Sequence, residues 1–308
     1  MSVTYGEALQ WGTAYLQHCH VDSARLDAEV LLAHCLGCER TTLYCHRDQR
    51  LMSEVWQRFA ELIARRGAHE PLAYLTGVRE FWSLPLAVRP GVLIPRPETE
   101  WVVETALRYA PSFTRQGRRC RILDIGTGSG NIAIAMAASL ADVMVIAIDI
   151  SREALVVAQS NARACGVVER VTFVQSDLLG PLNPRGTPFD LLLSNPPYIA
   201  AGEIASLPET VRDYEPHLAL DGGDDGLLLY RRLIAAGPQY LSEAGVAIVE
   251  VGYQQAGEVS QLFTQSQQWD VLEVVKDYSG IERVVVAQRR QQGAARHGLH
   301  RDRRGSPA

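Results

Sequence analysis

Asn195-Pro196-Pro197-Tyr198 closes an apolar run, Phe189 to Ser194, about sixty-five residues downstream of a glycine-rich turn. Proline fixes φ and carries no N–H, and the residue before a proline is pushed toward extended backbone. The carbonyls of Asn195 and Pro196 are therefore not tied up in a local turn and stay free to accept. An amide, an unpaired carbonyl and an aromatic face then surround one small planar group. The chemistry they suit is methylation of a planar NH2 nitrogen. Asn-Pro is equally a common turn former, so the tetrapeptide gains its meaning from what precedes it.

What precedes it is Leu123-Asp124-Ile125-Gly126-Thr127-Gly128-Ser129-Gly130. Glycines at Gly126, Gly128 and Gly130 let the backbone turn sharply and approach a ligand closely. The spacing is G-x-G-x-G rather than the G-x-G-x-x-G that places a pyrophosphate at a helix N-terminus. A nucleoside with no pyrophosphate, such as S-adenosylmethionine, fits the shorter turn. Asp149 follows nineteen residues after Gly130, at a strand end, where a carboxylate accepts from both hydroxyls of an unphosphorylated ribose. Asp177, in Gln175-Ser176-Asp177-Leu178, is placed to reach an adenine amino group, with Leu178 against the ring. Either aspartate alone could be a helix cap or turn residue; both at successive strand ends, with Asn195 at the next, describe one site. Thr127 and Ser129 fill the turn between its glycines.

The elements that must hold these residues follow from periodicity. Arg121 to Ile125, Val143 to Ile150, Val171 to Gln175, Phe189 to Ser194 and Gly245 to Val251 are near-continuous apolar runs of strand length, with helical segments such as Asn131 to Ala138 and Ser151 to Ala164 between them. Continuous apolarity means burial on both faces. The fold class is α/β, an open, mostly parallel, Rossmann-like sheet whose ligand lies outside the carboxyl ends of its strands. Trp269 to Lys276 and Arg283 to Ala287, around Ser279-Gly280, add an antiparallel edge hairpin and bring the strands to seven.

Residues 1–75 differ in character. Apolar side chains recur there at helical spacing (Ala8, Trp11, Tyr15; Leu26, Val30, Leu31; Val55, Phe59, Leu62, Ile63), predicting a small helical bundle. Residues 76–97 hold short extended stretches broken by turns and predict a hairpin linker; the first stretch, Leu75 to Trp82, overlaps its start and is read as extended. The sheet domain occupies 98–288. Residues 289–308, with six arginines and one aspartate, lack apolar periodicity and predict a disordered basic tail.

Composition excludes some functions. The chain has 308 residues, 47% of them hydrophobic, and a formal net charge of −5. With the tail set aside the body is more acidic still, which argues against a phosphate-tracking groove. No long apolar run and no leader-like N-terminus predict a soluble, unexported, cytoplasmic protein. Cys35-Leu36-Gly37-Cys38, with Cys45 and His34 and His46 nearby, has the spacing of half a zinc knuckle. No second pair follows it, Gly37 reads as a helix C-terminal residue and Cys35 as a small core side chain. No metal is expected.

The succession LDIGTGSG, AIDIS, QSD and SNPPYI resembles the class I S-adenosylmethionine-dependent methyltransferases. Glu70 to Gly77, Phe81-Trp82, Leu93-Ile94-Pro95-Arg96-Pro97-Glu98-Thr99-Glu100, Tyr214-Glu215-Pro216 and Gly222-Gly223-Asp224-Asp225-Gly226-Leu227 are similar to the bacterial peptide chain release factor N5-glutamine methyltransferases. The resemblance runs from about Tyr5 to Gln288. It implies S-adenosylmethionine as cofactor and methylation of the Gly-Gly-Gln glutamine of class I release factors, with the helical N-terminal domain holding the partner. It implies a monomer that needs neither nucleic acid nor membrane. In this reading Asn195 and the Pro196 carbonyl grip the amide, Pro197 is a wall and Tyr198 a stacking face. Two alternatives share the motif: a glutamine methyltransferase acting on a ribosomal protein, and an adenine N6 DNA methyltransferase. The second would have to flip a base and hold a phosphate backbone, for which the acidic body offers no basic recognition surface.

Overall fold

The computed structural model describes residues 3–114 and 118–291. Five helices come first: α1 (Tyr5–His18), α2 (Ala24–Leu36), α3 (Arg40–Cys45), α4 (Ser53–Gly67) and α5 (Leu72–Thr76). α1 starts on a capping box, in which the Glu7 N–H donates to Thr4 Oγ1 while Glu7 Oε2 accepts the Thr4 N–H at 2.8 Å, pairing two otherwise orphaned donors. α2 stops at Gly37, whose φ of 64° is left-handed and needs no Cβ. Leu16, Leu31, Leu32, Leu43, Phe59 and Ile63 are buried together in the centre of this bundle. Two acids on α2 are buried as well, and both are paired: Arg66 Nε donates to Asp27 at 2.7 Å and Arg40 Nη2 to Glu29 at 2.8 Å. Unpaired, either charge would cost several kcal/mol on the order of the usual burial penalty.

A two-stranded hairpin, β1 (Val78–Phe81) and β2 (Leu84–Ala87), follows. Its inner residues Phe81 and Leu86 belong to the core of the sheet domain, beside Val102 and Val103. The hairpin is therefore part of the sheet domain's packing as well as a linker. The extended reading of Leu75 and Thr76 is corrected: both lie in α5, a single turn too short to show a period.

The large sheet contains β3 (Cys120–Ile125), β4 (Val143–Asp149), β5 (Val171–Gln175), β6 (Phe189–Ser194), β7 (Leu241–Glu250), β8 (Trp269–Lys276) and β9 (Glu282–Arg289), ordered β5-β4-β3-β6-β7-β9-β8. Only β9 runs against its neighbours. Helices α6 (Glu100–Tyr109), α7 (Asn131–Ser139), α8 (Arg152–Ala164), α9 (Glu209–Arg212), α10 (Leu228–Ala236) and α11 (Ala256–Gln265) complete the domain. The pleat sends alternate side chains to opposite faces. Val246 and Ile248 of β7 join the cluster containing α6 and α7, whereas Ala247 and Val249 join Tyr230 of α10 and Phe263 of α11. Every residue of β6 is buried, as its continuous apolarity demands.

From β3 the chain winds outward through β4 to β5, then returns to place β6 on the other side of β3. The crevice at that reversal, above the strand carboxyl ends, is where an open α/β sheet binds its ligand. The expected tail boundary moves: Arg289 ends β9, and Arg290 donates to Asp270 at 2.6 Å. The remainder of the expected tail, from 292, lies outside the described residues. Among the described residues no helix is long and apolar enough to cross a membrane.

Candidate active site

The turn after β3 is built by a buried acid. Asp124 is fully buried, and the Thr127 hydroxyl donates to its Oδ2 at 2.6 Å. Burial pushes its carboxyl up to about 7, because the charged form has lost its water. Gly126, Gly128 and Gly130 all have positive φ, so the turn exposes backbone where L side chains would be strained. Gly130 has a different task from the first two: a Cβ there would meet Ile134 Cδ1 at 2.8 Å and Ala158 Cβ at 3.1 Å. It lets α7 and α8 approach.

Asp149, at the end of β4, accepts the Gly128 N–H on Oδ2 and the Ser151 N–H on Oδ1, each at 2.8 Å. Burial raises its pKa, opposed by these backbone bonds. A carboxylate has about four acceptor sites, so both oxygens retain capacity for hydroxyls. Asp177 is paired with Arg232 of α10 at 2.8 Å on an exposed rim, and Leu178 beside it has a φ of 54°, a conformation a leucine holds only where its surroundings fix it.

Asn195 follows β6. Its Nδ2 donates to Thr99 Oγ1 at 3.0 Å, which leaves Oδ1 as the free polar atom of the side chain. Among the described residues neither the Asn195 nor the Pro196 carbonyl accepts a hydrogen bond. Ser194 pins the strand end, its hydroxyl donating to the Ile125 carbonyl at 2.7 Å.

These residues share one cavity of about 530 Å³. Gly126, Thr127, Gly128, Ser129, Asp149, Asp177, Leu178, Asn195, Pro196 and Pro197 all line it. Its size suits a nucleoside cofactor and a small group beside it. Gly130 and Tyr198 lie off its wall. The Tyr198 ring is partly exposed; one side packs against the apolar cluster that contains Tyr230 and Val251 and lies against Gly252, where a Cβ would be 2.9 Å from Tyr198 Cδ2. Its carbonyl accepts Gln255 Nε2 at 2.9 Å. Burial and the nearby Glu250 carboxylate push the Tyr198 phenol up to about 12.

Several residues of the site were not singled out in the sequence. Arg96 and Thr99 line the cavity, both within the proline-rich segment before α6. Arg96 is held by Glu215, whose Oε1 accepts its Nη2 at 2.6 Å while Oε2 accepts the Ile94 N–H at 3.1 Å. Asn161 of α8 joins the hairpin to the glycine turn. It accepts the Ala87 N–H at 2.8 Å and donates to the Ala87 and Ser129 carbonyls at 3.0 and 2.9 Å. Among the described residues no group of three or more His, Cys, Asp or Glu is placed to hold a metal. Cys35 is half buried and its thiol is pushed up by that burial.

Comparison with known proteins agrees in class. The family described as "Methyltransferase small domain" matches residues 109–223, and "PrmC N-terminal domain" matches residues 7–77. The catalytic domain of hMettl16, solved with an RNA hairpin, superposes with a TM-score of 0.51 at 14% identity, covering 78% of this chain and 84% of that one. That likeness is one of fold. Sheet order and glycine turn, with the family match over residues 109–223, thus give the chain a methyltransferase fold.

The release factor glutamine methyltransferase of Geobacter sulfurreducens is 42% identical over 282 residues, 92% of this chain and 95% of the relative. That of Moorella thermoacetica is 42% identical over 293 residues, 94% of this chain and all of the relative. The chain belongs to the release factor glutamine methyltransferase family.

Proposed function

We propose that this enzyme uses S-adenosylmethionine to methylate the side-chain amide nitrogen of a glutamine on a peptide chain release factor, the glutamine of its Gly-Gly-Gln loop. The observation that carries the reading is the pair of acceptors on the cavity wall: Asn195 Oδ1, left free because Nδ2 is held by Thr99, and the Pro196 carbonyl. A carboxamide presents two N–H donors on one nitrogen. Two acceptors with no donor between them match it.

The cavity residues fit the cofactor. Asp149 retains acceptor sites for ribose hydroxyls, Gly128 has open space where a Cβ would stand, and Leu178 offers an apolar surface for a base. When bound, S-adenosylmethionine supplies an electrophilic methyl group on a sulfonium. Asp177 would reach the adenine amino group by sharing its carboxylate with Arg232, an exposed pair that costs little to loosen.

The amide nitrogen is a poor nucleophile because resonance delocalises its lone pair. Gripping both N–H groups orients that nitrogen and stabilises the positive charge that grows on it during transfer. The amide becomes acidic as the new bond forms, so one proton leaves late and no general base is required of the site. In this reading Pro197 walls the pocket, and the partly exposed Tyr198 ring offers a stacking face for the amide plane. The helical domain, residues 1–75, is the part we assign to holding the rest of the partner. We further propose that the enzyme acts as a cytoplasmic monomer without nucleic acid, a reading supported by its acidic body.

Incubation with labelled S-adenosylmethionine and a release factor, beside intact ribosomes and duplex DNA, tests the substrate. Label is expected on the Gly-Gly-Gln glutamine. Label on duplex DNA, or on a ribosomal protein in preference to the factor, would overturn the assignment.

A further inference from the structure

Asn161 of α8 is buried, at 2% exposure, and its carboxamide is used at both ends. Oδ1 accepts the Ala87 N–H at 2.8 Å, while Nδ2 donates to the Ala87 and Ser129 carbonyls at 3.0 and 2.9 Å. A flipped amide would set its NH2 against the Ala87 N–H and its oxygen against two carbonyl oxygens, so the side chain has one workable orientation. Its three bonds tie two stretches of chain, far apart in sequence, to one helix.

Both stretches wall the same cavity. Residues 125–129, the glycine turn, line it, and so do residues 91–93, a few positions beyond Ala87; among the described residues Asn161 is not on that wall. The turn is held to β4 as well, through the Gly126 and Thr127 N–H groups, which donate to the Ile148 carbonyl at 2.9 Å each, and through Gly128 on Asp149. The stretch after Ala87 leans on α8, where Val92 is buried against Ala154 and Val157. It is also joined to the last helix of the N-terminal group: the Tyr74 hydroxyl donates to the Val92 carbonyl at 2.7 Å, and the Val88 N–H to the carbonyl of Gly77, which caps α5, at 3.0 Å. Asn161 therefore stands where the linker and the turn meet.

We propose that Asn161 is a positioning residue for the cofactor, acting from behind the cavity wall to set the spacing between the linker and the glycine turn. A hydrogen-bonded amide fixes that spacing more sharply than apolar contact does, because a length and a direction must both be met. Without it, one buried N–H and two carbonyls lose their partner, and the two stretches can satisfy them by parting to admit water. The cofactor must then draw the walls together as it binds, and its affinity falls by that cost. Asn195 and Pro196 follow β6, outside this set of bonds, so the transfer step at saturating cofactor is spared.

The inference rests on S-adenosylmethionine as the cofactor and not on which protein is methylated. Its test is the calorimetric Kd for S-adenosylmethionine of wild type, Asn161→Leu and Asn161→Ser, with the Tm of each and, on a release factor, kcat at saturating cofactor. Asn161→Leu keeps the volume and loses all three bonds. Asn161→Ser, too short to span both partners, puts less strain on the core and decides the matter if Asn161→Leu does not fold. Each is expected to weaken Kd by about tenfold or more, the scale of one or two net hydrogen bonds, and to keep kcat at saturating cofactor within about threefold of wild type. A Kd within twofold of wild type in either folded variant, however far Tm falls, would overturn the inference and leave Asn161 a packing role. A loss of saturated kcat as large as the loss of affinity would overturn it too, since the substrate side would then have moved with the turn. Wild type that binds S-adenosylmethionine but labels no release factor would remove the proposed substrate, and the Kd comparison would still decide the role of Asn161.

Discussion

The Asp149 carboxylate accepts the Gly128 N–H at 2.8 Å, so the acid read as a ribose acceptor also shapes the glycine turn opposite it. Removing it should act twice, through lost cofactor bonds and through a loosened turn. Asp149→Ala is expected to weaken S-adenosylmethionine binding by about tenfold to a hundredfold, in keeping with loss of one or two charge-assisted hydrogen bonds. Calorimetry reads this directly, and affinity within twofold of wild type would show that Asp149 does not face the ribose.

Asn195→Ala should separate chemistry from binding. If its side chain grips the substrate amide as proposed, kcat is expected to fall by about a hundredfold or more, the usual scale for removing one preorganised polar partner of a transition state. Cofactor Kd should stay within severalfold. A tenfold or greater loss of cofactor affinity with kcat preserved would place Asn195 in the wrong subsite.

Asp124 makes stability depend on pH. Its folded-state pKa of about 7 lies above the 3.8 of an ordinary aspartate, so the folded protein holds a proton that the unfolded chain releases. The sign follows: the contribution is full below about 4 and is lost as pH rises through about 7. Each tenfold difference in proton affinity corresponds to about 1.4 kcal/mol. Asp124→Asn is therefore expected to shrink the fall in unfolding free energy between pH 5 and pH 8 by about 1 kcal/mol or more. Denaturant titrations at the two pH values would reveal it, and an unchanged difference would mean that Asp124 is ionised in the folded state throughout.

Gly226 has a φ of 74°, and a Cβ there would overlap the Tyr198 carbonyl and stand 2.7 Å from Gln255 Nε2. Strain and overlap act together at one position. Gly226→Ala is expected to cost about 2 kcal/mol or more and to lower turnover by displacing the loop behind Asn195. A melting curve unchanged from wild type would show that the Gly222 to Gly226 turn relaxes freely.

Much of this was legible in the chain because burial on two faces writes itself as continuous apolarity. β5 and β8 fall where the runs predict them, and α2 runs from Ala24 to Leu36 with Gly37 as its left-handed end. The strand-end residues Asp149, Asp177 and Asn195 could be read as one site because a parallel sheet aligns such ends. Thr99, Glu215 and Asn161 could not. Each acts across a separation of 74 residues or more in the chain, and nothing local distinguishes a buried hydrogen-bonding residue from an exposed one. Glu250 did leave a trace, the one acid within the apolar run Gly245 to Val251, which is a signal for a buried ionisable group.

Tyr214 and Glu215 are chain neighbours with opposite obligations. The Tyr214 hydroxyl donates to the Ala68 carbonyl of the helical domain at 2.5 Å, and Glu215 holds Ile94 and Arg96 at the rim of the cavity. A lever with so short an arm has little slack. A tilt of the helical domain would therefore either break the Tyr214 contact or pull on the segment that holds Arg96 at the cavity.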